Sequence, residues 1–409
     1  MRIKTALLFA AAPLAFAATP AFAAPGDPIA LGDDATLDIQ ANVRLRYEAV
    51  DQDNAVEDAD ALTVRGRVGV ELAFSGFKLF AEGEATGALA DDYNDTLPFN
   101  GVEPFSVVAD PENFELNRLQ LSYFKDGNGV TVGRQRIILD NARFVGNVGW
   151  RQNEQTFDAV RGQAKIGPVS LDATYSNSQR TIFGVDSPRE AMDGDLVLLN
   201  GGIDTKVVDV KAFAYLLDYD AGQAFNSLPF SSQTYGFLAK ADIPLGVAKL
   251  NLLASAATQQ DLGDNPTSYS TEYYNLEAGV GVSGFTLKAG YEELGSDGGV
   301  AAFQTPLATL HAFNGTADVF LVTPATGLRD TYASVAKGFT IPGLTTFNAM
   351  VAYHQFDSDF GGIDYGSEFD AQIGFKVGPV GVLAKFASYN ADSFGVDTDK
   401  FWLQAEYSF

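Results

Sequence analysis

The chain has 409 residues, with 27 Lys+Arg against 52 Asp+Glu, a formal charge of −25, and no Cys. That balance excludes the basic face a nucleic-acid binder needs. Zero Cys removes disulfide scaffolds, Cys-ligated zinc and thiol catalysis, and two His leave little for a His-rich metal site. No cofactor is expected.

In chain order, residues 1–23 come first. They carry Arg2 and Lys4, an apolar stretch, and the small-residue site Ala21-Phe22-Ala23. These are the three parts of a secretory signal peptide, so cleavage before Ala24 is expected, leaving 24–409 as one domain. Beyond it no segment has the roughly 20 mainly apolar residues of a spanning helix.

Period-2 patterning then runs to the end of the chain. Leu62, Val64, Val68, Val70 and Leu72 alternate with Thr63, Arg65, Arg67, Gly69 and Glu71. Phe401, Leu403, Ala405, Tyr407 and Phe409 alternate with Lys400, Trp402, Gln404, Glu406 and Ser408. Such alternation marks strands with one apolar and one polar face. The predicted strands are 36–48, 62–74, 77–87, 114–125, 129–136, 155–166, 168–180, 195–204, 206–219, 231–242, 247–260, 270–283, 285–295, 327–338, 344–357, 365–377, 380–391 and 398–409.

Tight turns such as Ser75-Gly76, Asp126-Gly127-Asn128-Gly129, Gly167-Pro168, Pro244-Leu245-Gly246 and Gly378-Pro379 alternate with longer polar loops, notably 88–113, 137–154 and 296–326. Short turns on one side and long loops on the other, over about 18 antiparallel strands, predict a transmembrane β-barrel of the bacterial outer membrane. Both termini are then periplasmic. Aromatics near strand ends (Tyr47, Phe74, Phe77, Tyr123, Phe285, Tyr291, Tyr353, Phe375) suit interfacial girdles, and terminal Phe409 suits recognition by the barrel-assembly machinery. A secreted β-sandwich or β-helix is the competing reading.

An Arg or Lys facing lipid at mid-membrane costs about 2–4 kcal/mol, so charged strand positions must point inward. This assigns Arg44, Arg46, Arg65, Arg67, Arg118, Arg161 and Lys165 to the lumen, with Glu71, Glu82 and Glu84 opposite in charge on the same wall. Arg134 and Arg136 share the parity of Val130 and Val132, and a bulge near Gly133 would turn them inward. After Arg180 only Arg189 and Arg329 follow, so the arginines gather on one side. They either neutralise neighbouring carboxylates and stiffen a wet interior or select anions, since Arg suits carboxylate geometry. Acidic loops (Asp51, Asp53, Glu57, Asp58, Asp60; Asp91, Asp92, Asp95) suit solubility and contact with lipopolysaccharide through divalent cations.

Val132-Gly133-Arg134-Gln135-Arg136-Ile137, the run Trp150 to Arg161, and Phe303 to His311 continuing through Asn314-Gly315 and Ala317-Asp318 resemble the alginate-export family of outer-membrane porins. The resemblance implies an 18-stranded channel with an arginine-lined constriction for an anionic uronate polymer, with Arg134, Arg136 and Arg161 as constriction candidates. The sparse arginines of the second half and the acidic total depart from that pattern. Loop 137–154 is long enough to fold into the pore, where Arg143 and Arg151 would narrow it, and loop 296–326 either caps or enters it. His311 there has no partner set and reads as a packing or hydrogen-bonding residue.

The expected function is passage of anionic saccharides or other small anions. A general or cation-favouring porin is the alternative, and a barrel enzyme is remote, because no Ser stands at suggestive spacing from His311 or His354.

Overall fold

The computed structural model describes residues 26–409 apart from Asp33 and Lys206. The signal-peptide reading of residues 1–23 lies outside them. Among the described residues no helix is long and apolar enough to cross a membrane.

A two-residue strand, β1 (Ile29–Ala30), precedes eighteen longer ones. The first half holds β2 (Ala35–Gln52), β3 (Ala59–Phe74), β4 (Phe77–Asp92), β5 (Asn113–Lys125), β6 (Asn128–Gln135), β7 (Thr156–Ile166), β8 (Val169–Arg180), β9 (Ala191–Asp204) and β10 (Val208–Tyr219). The second half holds β11 (Ser232–Leu245), β12 (Ala248–Asp261), β13 (Ser270–Val282), β14 (Phe285–Leu294), β15 (Leu328–Phe339), β16 (Thr345–Asp357), β17 (Asp364–Val377), β18 (Val380–Ala391) and β19 (Thr398–Ser408). Each of these eighteen pairs antiparallel with the next, and β19 pairs with β2 over Thr398–Ser408, closing the barrel. All eighteen predicted strands are present, and β2, β3, β4 and β9 run three to five residues further at the long-loop end.

Parity follows the energetic rule. Val43, Leu45, Val68, Val70, Leu119 and Leu121 are exposed on the outside, while Arg44, Arg46, Arg65 and Arg67 are buried inside. Phe77 and Tyr123 pair their rings on the outer face, 4.6 Å between centroids, beside the short turns. In β5 a bulge at Asn117 shifts the register between Glu82↔Arg118 and Gly83↔Leu116. Asn117 and Arg118 therefore both face inward without either neighbouring Leu leaving the lipid face.

The lumen is not an empty tube. Loops 136–155 and 295–327 enter it and join there: Val145 bridges Leu307, Gly146 N–H donates to the Leu307 carbonyl (2.8 Å), and Thr309 N–H to that of Ala142 (3.0 Å). They rest on an apolar strip of inner wall. Leu196, Leu198, Phe213, Tyr215, Leu217 and Tyr273 form one buried cluster with Val145, Phe303 and Leu307. Phe144 stacks into it, 4.7 Å from Phe213 and 5.1 Å from Tyr273. Burying this surface at roughly 25 cal/mol per Å² is what holds the loops inside.

Candidate functional site

Three wall surfaces face the inserted loops, and the first is basic. Arg44 and Arg46 stand on β2, Arg65 and Arg67 on β3, and Arg118 on β5; alternation puts them on one face and the meander puts them side by side. Arg136 joins them from the start of loop 136–155. Arg44, Arg65, Arg67, Arg118 and Arg136, with Asp38, Glu82 and Glu406, line an open cavity of about 490 Å³ beside Phe409, at the short-turn end.

Each arginine is paired. Arg44 meets Glu406 (3.1 Å), Arg118 meets Glu82 (2.7 Å), and Arg136 meets Glu154 (2.6 Å). Arg67 bonds Glu84 and lies 3.5 Å from Glu154. Arg65 bonds Asn42 and reaches Glu406 at 3.3 Å. Both readings of these arginines thus meet in one place: neighbouring carboxylates compensate them, and the cavity still exposes part of the row.

Above the cavity, loop 136–155 covers the row with main-chain carbonyls. Arg44 Nη1 donates to those of Gly149, Trp150 and Arg151 (3.1 Å each), Arg46 to Trp150, and Arg67 to Gln152 (3.2 Å). Glu154 is buried under this cover, and although burial opposes its charge, Arg67 and Arg136 hold its carboxyl down at about 2.

The second surface is acidic: Glu292, Asp330, Glu368 and Asp370 on β14, β15 and β17 are all fully buried. Loop 295–327 covers it with donors. Asn314 Nδ2 donates to Glu292 (2.7 Å) and Asp330 (3.3 Å), Ala317 N–H to Glu368 (2.8 Å), and the Thr316 hydroxyl to Asp370. His354 stands between Asp330 (2.9 Å) and Asp370 (3.7 Å). The apolar strip on β9–β13 is the third surface.

The remaining candidates divide. Arg161 faces inward, paired with Asp172 at 2.6 Å, away from the cavity. Lys165 is exposed at the short-turn rim, as is the Glu71–Lys78 pair (2.7 Å). Arg134 is a correction. The β5–β6 and β6–β7 registers run through Gly133 without a shift, so no bulge turns it inward. It keeps the parity of exposed Val130 and Val132 and pairs with Asp158 at 2.8 Å, on the parity of Val160. A bidentate carboxylate there removes the cost that argued for an inward position.

Arg143 and Arg151 are in the pore but do not rim an opening. Arg143 is buried against Glu292 (2.7 Å), Thr305 and Asn314, tying one loop to the other and to the acidic wall. Its guanidinium is held above its ordinary value, burial being outweighed by Glu292. Arg151 joins Asp318 (2.9 Å) to Glu48 (3.3 Å). His311 is a hydrogen-bonding and packing residue with a full partner set: Nδ1–H donates to Asp318 (2.8 Å), Nε2 accepts from Lys385 Nζ (2.8 Å), and the ring stacks on Trp150 at 4.1 Å. Burial pushes it down to about 3, so it stays neutral. Sequence reasoning missed the acidic wall, Lys385 and Asp110; the acids were legible only as inward parity on β14–β17.

A closed barrel of eighteen strands, long loops on one side and a lumen filled by two of them, is the architecture of outer-membrane porins. Similar in fold are Acinetobacter baumannii OccAB4 (14% identity, 92% of this chain and 98% of that one, TM-score 0.68) and Pseudomonas aeruginosa OpdK (14%, 91% and 98%, 0.70). OpdK with vanillate is also similar (13%, 91% and 98%, 0.66). The fold of this chain is therefore the closed eighteen-stranded antiparallel β-barrel that those porins share. Residues 35–187 match the model of the alginate-export family, which bears out the resemblance read from Val132–Ile137 and Trp150–Arg161; the stretch around Phe303–His311 lies outside that match. No curated protein matches the chain.

Proposed function

We propose that this barrel passes anionic saccharides or other small anions across the outer membrane along its arginine row. The observation that carries the reading is the row itself, Arg44, Arg65, Arg67, Arg118 and Arg136 around one open cavity against three side-chain carboxylates. Guanidinium groups exposed on a narrow cavity present planar donor forks that orient carboxylates. Two further findings support it. The segment matching the alginate-export family, residues 35–187, is the segment that carries the row. OpdK, similar in fold, has been crystallised with vanillate, a carboxylate.

In this reading the short turns and both termini are periplasmic, so the cavity opens to the periplasm. Lipopolysaccharide meets the long acidic loops, and Phe409 is the contact for the assembly machinery. The chain acts as a passive pore and not as an enzyme. For passage, loops 136–155 and 295–327 have to shift off the walls they cover.

The test is the reversal potential of single channels in a salt gradient, comparing the wild type with Arg118→Ala/Arg136→Ala, the two most accessible members of the row. Anion preference that falls several-fold in the variant is expected. Cation preference of the same size in both proteins would sink the reading. It would favour instead a general or cation-favouring porin, for which the acidic wall of Glu292, Asp330, Glu368 and Asp370 is the specific observation. Liposome swelling with graded neutral sugars would then show no discrimination beyond size.

A further inference from the structure

The outer face of the barrel is not uniform. Each strand from β13 to β19 carries an exposed aromatic side chain there, from Tyr274 on β13 to Phe401 on β19. Such residues form the girdles that anchor a barrel wall among lipid headgroups. β6, β7, β9 and β10 carry none. Between them β8 has only Tyr175, whose hydroxyl donates to Asp195 on β9 at 2.6 Å.

The wall without aromatics holds a charge that the rest of the outer face lacks. Arg134 on β6 and Asp158 on β7 are paired there, both partly exposed. Arg134 is in register with Leu119, about midway between the exposed Phe114 and Tyr123 of β5, so the pair sits in the middle of the apolar span. Arg134 gives Nε and Nη2 to Asp158 (2.8 and 2.9 Å) and Nη1 to the Leu116 carbonyl (3.1 Å). Pairing cancels the net charge. Of the five guanidinium N–H groups, two are still without an acceptor among the described residues, at a depth where hydrocarbon supplies none.

On the short-turn side of this pair the wall is hollow. Gly162 and Ala164 on β7, Ala173 on β8, Gly201 on β9, and Ala212 and Ala214 on β10 floor an open groove of about 940 Å³. Gly162 has no positive φ, and a Cβ there would meet nothing nearer than the Ala173 carbonyl at 4.0 Å. Nothing within the chain requires a glycine at that place. An acyl chain could fill the groove but offers Arg134 no acceptor. The acceptors stand on the same wall: Asp193 and Asp195 are exposed on the outer side of β9.

We infer that the outer wall of β6–β10 is the interface of a two-fold dimer of this chain. The inference rests on the membrane placement proposed above and is independent of the solute. Half a turn about the membrane normal lays the β6 edge of one copy against the β9 edge of the other, with β7 and β8 at the axis. The basic edge then meets the acidic one twice, as an isologous contact requires. The small residues let the two walls approach closely, as they do between membrane helices. The stretch without aromatic anchors is thereby withdrawn from lipid.

The chain has no Cys, so one introduced thiol reports its own surroundings alone. The experiment oxidises isolated outer membranes carrying Ala173→Cys, in the groove floor on β8, or Val351→Cys, exposed on the outer face of β16. A disulfide-linked band of twice the chain mass is expected for Ala173→Cys and none for Val351→Cys. Light scattering of the full barrel in mild detergent is expected to give twice the monomer mass for wild type and Val351→Trp. Ala173→Trp, whose indole fills the groove from outside the wall, is expected to give the monomer.

A wild type of monomer mass, with no crosslink from Ala173→Cys in the membrane, overturns the dimer; lipid co-purifying with that monomer would assign the groove to lipid instead. A dimer that survives Ala173→Trp and does not crosslink through Ala173→Cys overturns this wall as its interface. A chain absent from the outer-membrane fraction overturns the placement beneath the inference.

Discussion

The basic and acidic walls of the lumen solve the same problem with opposite chemistry. On β2 and β3 the buried guanidinium groups are capped by main-chain carbonyls of loop 136–155; on β14, β15 and β17 the buried carboxylates are capped by amide and hydroxyl donors of loop 295–327. The comparison teaches that, beyond the apolar strip, each charged wall is met by loop groups of the opposite polarity, carbonyls on the basic side and N–H or O–H donors on the acidic side. Each wall selects the polarity of the strand laid on it. Two arginines of loop 136–155 cross between the systems: Arg143 reaches Glu292 on the acidic wall, and Arg151 reaches Asp318 on the other loop.

Arg143→Met should therefore break the comparison most severely. It strands Glu292 as a buried charge without its ion-pair partner and removes one of the ties between the loops, an expected loss of about 3–5 kcal/mol. Urea titration of the barrel folded in vesicles would measure it, with larger single-channel conductance as the companion signal. Unchanged stability would mean that the two loops are held independently.

Leu307→Ala comes next. Leu307 is fully buried at the bridge to Val145, and its loss should cost about 2–5 kcal/mol by transfer and cavity terms, read by the same titration. Because it loosens both caps equally, ion selectivity should stay near the wild-type value while conductance rises.

Acid should separate the walls in sequence. His311, on the acidic-side loop, is pushed down to about 3 from its ordinary value by burial. The unfolded or released loop then binds the extra proton first, so this contribution is complete above about pH 6.5 and is lost as pH falls towards 3. Glu154, on the basic-side loop, is held at about 2, so its contribution is present above about pH 4.5 and survives until pH approaches 2. Conductance recorded against pH should rise in two steps, with the upper one abolished in His311→Asn. A single step at one pH would show that the loops move as a unit.

The smallest effect belongs to the rim. Lys78→Ala removes an ion pair with Glu71 in which the lysine is half exposed, and should change stability by about 0–1 kcal/mol. A larger change would place that pair within the row's electrostatics and not outside it.

Much of the barrel was legible because its rule is local. Period-2 alternation with a lipid penalty on charge is enough to aim Arg44, Arg46, Arg65 and Arg67 inward, and Gly- or Pro-marked turns fix where strands end. What failed was anything decided by a neighbour distant in sequence. Arg134 could remain off the lumen because Asp158 waits on the next strand; the Asn117 bulge, by contrast, had a local signal, the apolar positions passing from even (Phe114, Leu116) to odd (Leu119, Leu121). The filling of the lumen had a signal that alternation obscured: Leu196-Val197-Leu198-Leu199 is apolar on both faces, as is Phe213 to Leu217 beside outward Ala212. A strand apolar on both sides in a barrel says that its inner face is dry. Which segment dries it is a matter of long-range packing, and so is the meeting of Asp110 with Arg46, 3.6 Å apart.

The shortest barrel strand has a mechanical corollary. β6 has eight residues and ends at Gln135, where the chain leaves the wall for the lumen, so β5 is paired to β6 only from Leu119 to Lys125. Its upper part, Asn113 to Arg118, keeps β4 on one side and has no β6 partner on the other. A cylinder held by rows of hydrogen bonds is weakest along a row that is cut short. The hoop is thus notched at the place where the inserted segment departs, and any outward pull on that segment is delivered to the notch. Amide exchange along Asn113–Arg118 should run ahead of that in β2 and β3, which makes this seam the point from which the wall unfastens.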